Sequence, residues 1–339
     1  MTYDEIMEEI KSGLTGDTKV DMKYLMTQMD KYKEHELSQE IIRACGRMIA
    51  SIMPEDAKEE FNNLIRKEEL NIDSALDEMH FAVYKKDYQR ALDIIEALVQ
   101  KADENPMFKD DAVSAYFNFN EFFEEIIYIQ VNQPKKDIRK AEFPFVSIYL
   151  NHGSLLVELE RFEEANNTLK RALKWNPVNM GIRNEYMETL KRMGRLEEYF
   201  EMAVESFKYA FRSKDIGRCY RNLGWYFVEK KMYKEAIGVY IMSTHYDKDS
   251  NTAQGELYYI QQMDASAKEP TIDELNVIAE KKGFPMGPDK TVLQTAYAYG
   301  KHFMDKKMID AARYCFEILY DLTGDEEIKE LLEKIPGEE

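Results

Sequence analysis

Three kinds of side chain here could carry chemistry, and each needs a particular setting. Adjacent carboxylates occur at Glu8-Glu9, Glu59-Glu60 and Glu163-Glu164. Such pairs run general acid–base catalysis only when two carboxyls face each other across a cleft at a fixed separation. Set among other charges at helical spacing, they read instead as solvated helix faces. The three cysteines, Cys45, Cys219 and Cys315, are far apart and odd in number, which suits reduced core thiols rather than a disulfide framework. A cysteine nucleophile needs an exposed, electropositive setting. Arg218 and Arg221 give Cys219 a hint of one, but its helical pattern points to a buried thiol. None of the five histidines (His35, His80, His152, His245 and His302) stands at metal-ligand spacing from another histidine or a cysteine. The glycines of GFPMGPDK, Gly283 to Lys290, lack the strand–loop–helix setting of a phosphate cradle and read as a connection between helices. The chain is therefore expected to be no enzyme and to use no metal and no other cofactor.

One stretch is locally basic. Lys208 to Arg221 holds five cations against Asp215, interleaved with Tyr209, Phe211 and Tyr220. Its arginines could fork onto a carboxylate, a phosphate or an acidic peptide; the other reading is that they pair with the chain's own acids. Those acids are in surplus: net charge is −18 over 339 residues, with 44% apolar and 32% charged residues. That composition folds and stays in solution. Its charge repels nucleic-acid phosphates and anionic membranes and suits a basic partner. No apolar run reaches the roughly 18 residues of a membrane span, and MTYDEIMEEI lacks the cationic leader and apolar core of a signal peptide. The expectation is a cytoplasmic chain with a protein or peptide partner, no nucleic acid and no membrane.

The elements that must position these residues repeat. In the unit 146–177, Tyr149, Gly153 and Leu156 lie on one helix, then Phe162, Ala165, Leu169 and Ala172 on the next, closed by Pro177. Tyr220, Leu223, Gly224 and Phe227 followed by Tyr233, Ala236, Tyr240 and Ser243 form a second copy. Tyr299, Gly300 and Phe303 followed by Ile309, Ala312, Phe316 and Leu319 form a third. Ala82, Tyr88, Ala91, Ile95 and Leu98 give a weaker fourth. Small residues at Gly153 and Ala165, and at Gly224 and Ala236, allow two antiparallel helices to approach closely, with large residues filling the gaps.

This pattern of small and bulky places with a closing proline resembles the tetratricopeptide repeat, and Arg171 to Asn179, RALKWNPVN, is typical of a repeat end. The resemblance implies an all-α fold, a right-handed α/α superhelix built as a solenoid of antiparallel helix pairs. Register residues Ala91, Ala165, Tyr199, Ala236 and Ala312 predict about seven hairpins on a 34–38-residue step, with degenerate ones near 110–143 and 250–283. Thr271 and Glu274 make a capping box. Residues 1–70 fall outside the register and are expected to form a helical cap, with stripes at Met22, Leu25, Met26 and Met29 and at Ile41, Ile42, Cys45, Met48, Ile49 and Ile52. The solenoid spans 71–323. A capping helix and tail occupy 324–339: Gly324 stops the preceding helix, and Asp325 caps a last short one ending before Pro336. The aromatic segment Tyr116 to Ile129 reads either as a loop packed into the groove or as a long helix. The nineteen methionines and 22 tyrosines read as interhelix packing, a few of them as an adaptable binding surface.

In such a solenoid the first helix of each hairpin lines the concave face. Carried onto this chain, the resemblance implies a peptide-binding set of Asn151, Arg218, Arg221, Asn222 and Trp225, accompanied by Ser154, Val157, Asn184, Glu188 and Lys191. An asparagine there can hold an extended backbone, because its amide both donates and accepts. Arg218 and Asn222 match part of the clamp of chaperone-binding members. No partner asparagine follows near Tyr259, so a chaperone tail is not expected. Two functions follow. One is a non-enzymatic scaffold or adaptor binding a peptide or protein segment. The other is a peptide-sensing regulator controlling a transcriptional or signalling partner, weakened because the first 70 residues offer no basic recognition helix.

Overall fold

Helical periodicity organises nearly the whole chain. In the computed structural model, which describes residues 1–335 (with Asp56 and residues 60–70 by backbone alone), the order is α1 (Tyr3–Ser12), α2 (Thr18–Lys31), α3 (Ser38–Ile52), α4 (Glu55–Tyr84), α5 (Tyr88–Glu104), β1 (Ser114–Phe117), α6 (Phe122–Asn132), β2 (Asp137–Lys140), α7 (Phe145–Glu158), α8 (Phe162–Trp175), α9 (Met180–Arg192), α10 (Leu196–Ser206), α11 (Ser213–Glu229), α12 (Tyr233–Tyr246), α13 (Asn251–Met263), α14 (Ile272–Lys282), α15 (Lys290–Asp305), α16 (Ile309–Thr323) and α17 (Glu326–Lys334). The all-α reading holds. The tail after Ile335, including Pro336, and the side chain of Glu60 lie outside the described residues. No described helix is long and apolar enough to cross a membrane.

The chain divides into two compact units, residues 1–118 with 134–152, and residues 119–133 with 153–339. In the first, α1, α2 and α3 bury Ile6, Ile10, Leu25, Ile41 and Cys45, with Met48, Ile49 and Ile52 packed at the margin. Met26, expected on the apolar stripe, is instead exposed. Thr2 and Glu5 form a capping box on α1. Buried Asp21 accepts from the Thr15 and Gly16 backbone and the Thr15 hydroxyl at 2.7–2.8 Å. The slot near 110–143 corrects the expected hairpin: β1 and β2 pair in parallel, with Ser114 opposite Asp137, and α6 lies between them in sequence. Tyr116 to Ile129 is accordingly neither one loop nor one long helix but strand, turn and helix.

Five hairpins share one turn. Lys86, Glu160, Gly194, Lys231 and Lys307 all take positive φ, 57–70°, and each stands five places before its register residue. The next residue donates back to the first helix at 2.8–2.9 Å (Asp87 to Ala82, Arg161 to Leu156, Arg195 to Leu190, Met232 to Phe227, Met308 to Phe303). This is the Schellman pattern, which satisfies the last carbonyls of the first helix. Only one of the five positions is glycine. The close approach also differs in detail from expectation. A Cβ on Gly153, Gly224 or Gly300 would meet Leu169, Tyr240 or Phe316 at 2.5–2.8 Å. The glycine therefore makes room for a large residue one turn beyond the register alanine.

In the second unit α14 starts at the Thr271–Glu274 capping box and seats Leu275 over Gly238 of α12, where a Cβ would meet it at 2.6 Å. Loop 283–289 is held on α11: the Tyr220 hydroxyl donates to Pro285 O at 3.0 Å and accepts from Gly287 N at 2.7 Å. Gly324 ends α16 at φ 63° and Asp325 caps α17.

The unit is braced by α6. Phe123 is fully buried and packs on Phe211, ring centroids 5.1 Å apart. Phe122 meets Phe303 and Tyr314 at 5.9 and 5.2 Å. Buried Glu124 accepts from Asn120 N and Asn176 at 2.7 Å and from Asn179 at 3.1 Å. Glu121 accepts from Arg212 at 2.6 Å and from the Tyr314 hydroxyl. Ser213 N donates to Asp321 Oδ2 at 2.6 Å, so the last hairpin returns to the start of α11.

Candidate functional site

Four of the five expected site residues lie on α11, in the second unit. Helical spacing keeps them together: Arg218, Arg221, Asn222 and Trp225 stand at i, i+3, i+4 and i+7 and share one face of the helix, with Arg221 at its edge. Arg221 reaches Asp247 at 2.9 Å, both side chains largely buried at 12% and 18% exposure. Its guanidinium is thus a structural partner for the end of α12. Arg212 is likewise held by Glu121. Two arginines of the basic stretch therefore pair with the chain's own acids. Arg218 remains exposed, with no hydrogen bond or ion pair to hold it among the described residues.

The stripe faces α9. Asn222 is buried and donates to Asn184 Oδ1 at 3.2 Å and toward Met187 Sδ at 3.7 Å. Trp225 packs edge-on against Tyr199 at 4.7 Å, and Lys191 Nζ sits 4.8 Å over its ring. Lys191 and Arg192 both pair with Glu188, at 3.7 and 2.9 Å. Glu185, one residue beyond Asn184, is pushed up from the ordinary carboxylate range by burial and by Glu188, while Arg218 and the Ser154 hydroxyl oppose the shift. The patch thus runs from Ser154 of α7 across Asn184, Glu185, Glu188 and Lys191 to Arg218, Asn222 and Trp225. It offers a cation, Arg218, with no ion pair among the described residues, together with a half-exposed indole, an amide pair and a partly desolvated carboxyl. Glu185 and Tyr199 were not expected in it. Tyr199 occupies a register place normally held by a small residue, and that anomaly was the available signal.

Asn151 lies in the first unit. Its Nδ2 donates to Ser147 O at 2.8 Å and its Oδ1 stands 2.6 Å from His80 Nε2.

The candidate chemistries separate by burial. All three cysteines are free and buried. Desolvation pushes the thiols up: Cys315 to about 12, and Cys45 and Cys219 in the same direction. For Cys219 this outweighs Arg218 and Arg221. Among the described residues no group of three His, Cys, Asp or Glu side chains could hold a metal ion.

A family model described as tetratricopeptide repeat matches residues 146–179. The structure of the APC/C hetero-tetramer Cut9-Hcn1 aligns with 98% of this chain at 12% identity and a TM-score of 0.34; the chain spans 60% of that chain's length. No curated protein matches. The chain thus resembles tetratricopeptide repeat proteins and carries one recognised repeat, a module that supports protein–protein interaction in general.

Proposed function

We propose that the chain is a non-enzymatic adaptor that holds a peptide or protein segment against the α9–α11 stripe. The supporting observation is Trp225, half-buried between Tyr199 and Lys191, about two helical turns from an exposed Arg218 that has no ion pair among the described residues. Tryptophan and arginine in partly desolvated settings are the side chains that concentrate binding energy at interfaces. The guanidinium suits a carboxylate on the segment. The Asn184–Asn222 pair would set register on its backbone, and the indole would take an apolar anchor.

The test is affinity capture from the native cell with wild-type chain and with an Arg218→Ala/Trp225→Ala variant, read by quantitative mass spectrometry. The variant should lose a specific partner by on the order of tenfold or more while its circular dichroism is unchanged. Arg221→Ala, which breaks a structural ion pair, serves as the contrast. Undiminished recovery by the double variant would move the site elsewhere.

A further inference from the structure

A second candidate site lies in the first unit. Tyr3, Asp4, Met7, Glu8 and Lys11 of α1, Ala44, Arg47 and Met48 of α3, and Asp137 and Arg139 of β2 line a cavity of about 520 Å³. Arg47 and Arg139 each hold a buried nitrogen, Nη1 and Nε, with no hydrogen-bond partner. Leaving a buried charged donor unmatched is costly, and such groups ordinarily mark a place for a ligand or an ordered water. Two guanidinium groups with this defect line the same space, and both act electrostatically on the Tyr3 hydroxyl.

The charges around the cavity decide what it takes. Arg47, Arg139 and Lys11 face Asp4, Glu8 and Asp137, so the lining is balanced. Arg139 already holds Asp137 at 3.0 Å, and Lys11 meets Glu8 only at 3.5 Å. A phosphate dianion would gain the two arginines but face uncompensated repulsion from the α1 carboxylates. A ligand with one carboxylate and one ammonium satisfies both sides.

We infer that this cavity binds a small zwitterion of the amino-acid class, its carboxylate on Arg47 and Arg139 and its ammonium toward Asp4 and Glu8. Because Arg47 Nη1 is unpartnered and Arg47 holds no hydrogen bond among the described residues, the apolar change Arg47→Met should leave the fold intact while removing the ligand's main contact.

The experiment is isothermal titration calorimetry and thermal shift on the full chain with single probes: L-alanine, L-glutamate, L-arginine, glycylglycine, acetate, ethylamine and inorganic phosphate. At least one zwitterion should bind and raise Tm. Acetate, ethylamine and phosphate should bind on the order of tenfold more weakly or not at all. Arg47→Met should abolish the zwitterion's effect without lowering the Tm of the free protein. Should that variant fail to fold, Asp4→Asn/Glu8→Gln is the second arm, with affinity lost for the zwitterion and unchanged or improved for acetate. Absence of binding by every zwitterion overturns the inference. So does preferred binding of phosphate, or zwitterion binding undiminished in the variants.

Discussion

The ring of Tyr240 lies directly against the Cα of Gly224, so that a Cβ there would meet three ring atoms at 2.6–2.8 Å. Tyr240 is fully buried, and its neighbours in the hairpin give it no free direction. Gly224→Ala should therefore destabilise the chain by about 1–3 kcal/mol, the ordinary cost of overpacking a core. Pairing it with Tyr240→Leu should recover part of the loss. Denaturant unfolding of the two single variants and the double measures the coupling; strict additivity would contradict the contact.

The repeated hairpin turn predicts gains as well as losses. Lys86, Lys231 and Lys307 hold left-handed backbone without being glycine. Lys231→Gly relieves that strain and should raise stability by about 0.5–1 kcal/mol. Gly194→Ala, at the matching turn of α9 and α10, should cost about 1 kcal/mol. Thermal unfolding of both variants reads the opposite signs directly.

Asp215, near the start of α11, is pushed up to about 6 by burial, with Glu121, Asp321 and Glu124 adding to the shift and Arg212 opposing it. The folded state thus prefers this carboxyl protonated. Its contribution is intact below the unfolded pKa, near 4, and is lost as pH rises through about 6. Asp215→Asn should consequently raise stability by about 2–3 kcal/mol at pH 7.5 and change it little near pH 4. Tm of wild type and variant compared across pH 4–8 gives the test. A difference independent of pH would rule out this account.

Glu124 gathers three donors, Asn120 N, Asn176 and Asn179. Glu124→Ala strands them in a buried setting and should cost about 3 kcal/mol or more. Glu124→Gln keeps the volume and one acceptor oxygen and should cost less. Urea unfolding of the two variants would show the order, and equal losses would point to packing rather than hydrogen bonding.

The hairpins were legible because their signal is local: Gly153, Leu169 and Ala165, or Gly224, Tyr240 and Ala236, recur at fixed offsets within about 20 residues. The turn geometry was not, since lysine or glutamate occupies four of five left-handed positions and carries no mark of it. The segment from Ser114 to Lys140 was misjudged because SAYF and DIRK are only four residues each and gain meaning from pairing across 19 intervening residues. The all-round apolar character of FFEEIIYI did signal burial but not against what. Within the site, α11 periodicity places Arg218, Arg221, Asn222 and Trp225 on one face and gives no reason to set Arg221 apart. The partner that claims Arg221, Asp247, depends on how α12 ends against α11, which no spacing announces.

The bond between Glu121 and Tyr314 joins residues 193 positions apart, and its consequence falls on the order of synthesis. When α6 leaves the ribosome, the α15 and α16 side chains that cover Phe122 have yet to be translated. At about 5–20 residues per second, that interval is on the order of 10–40 s. For that time the nascent chain presents a strongly apolar helix with its final seat missing, a natural point of engagement for a chaperone that guards unfinished chains. A transcript truncated before α15 would leave that exposure permanent.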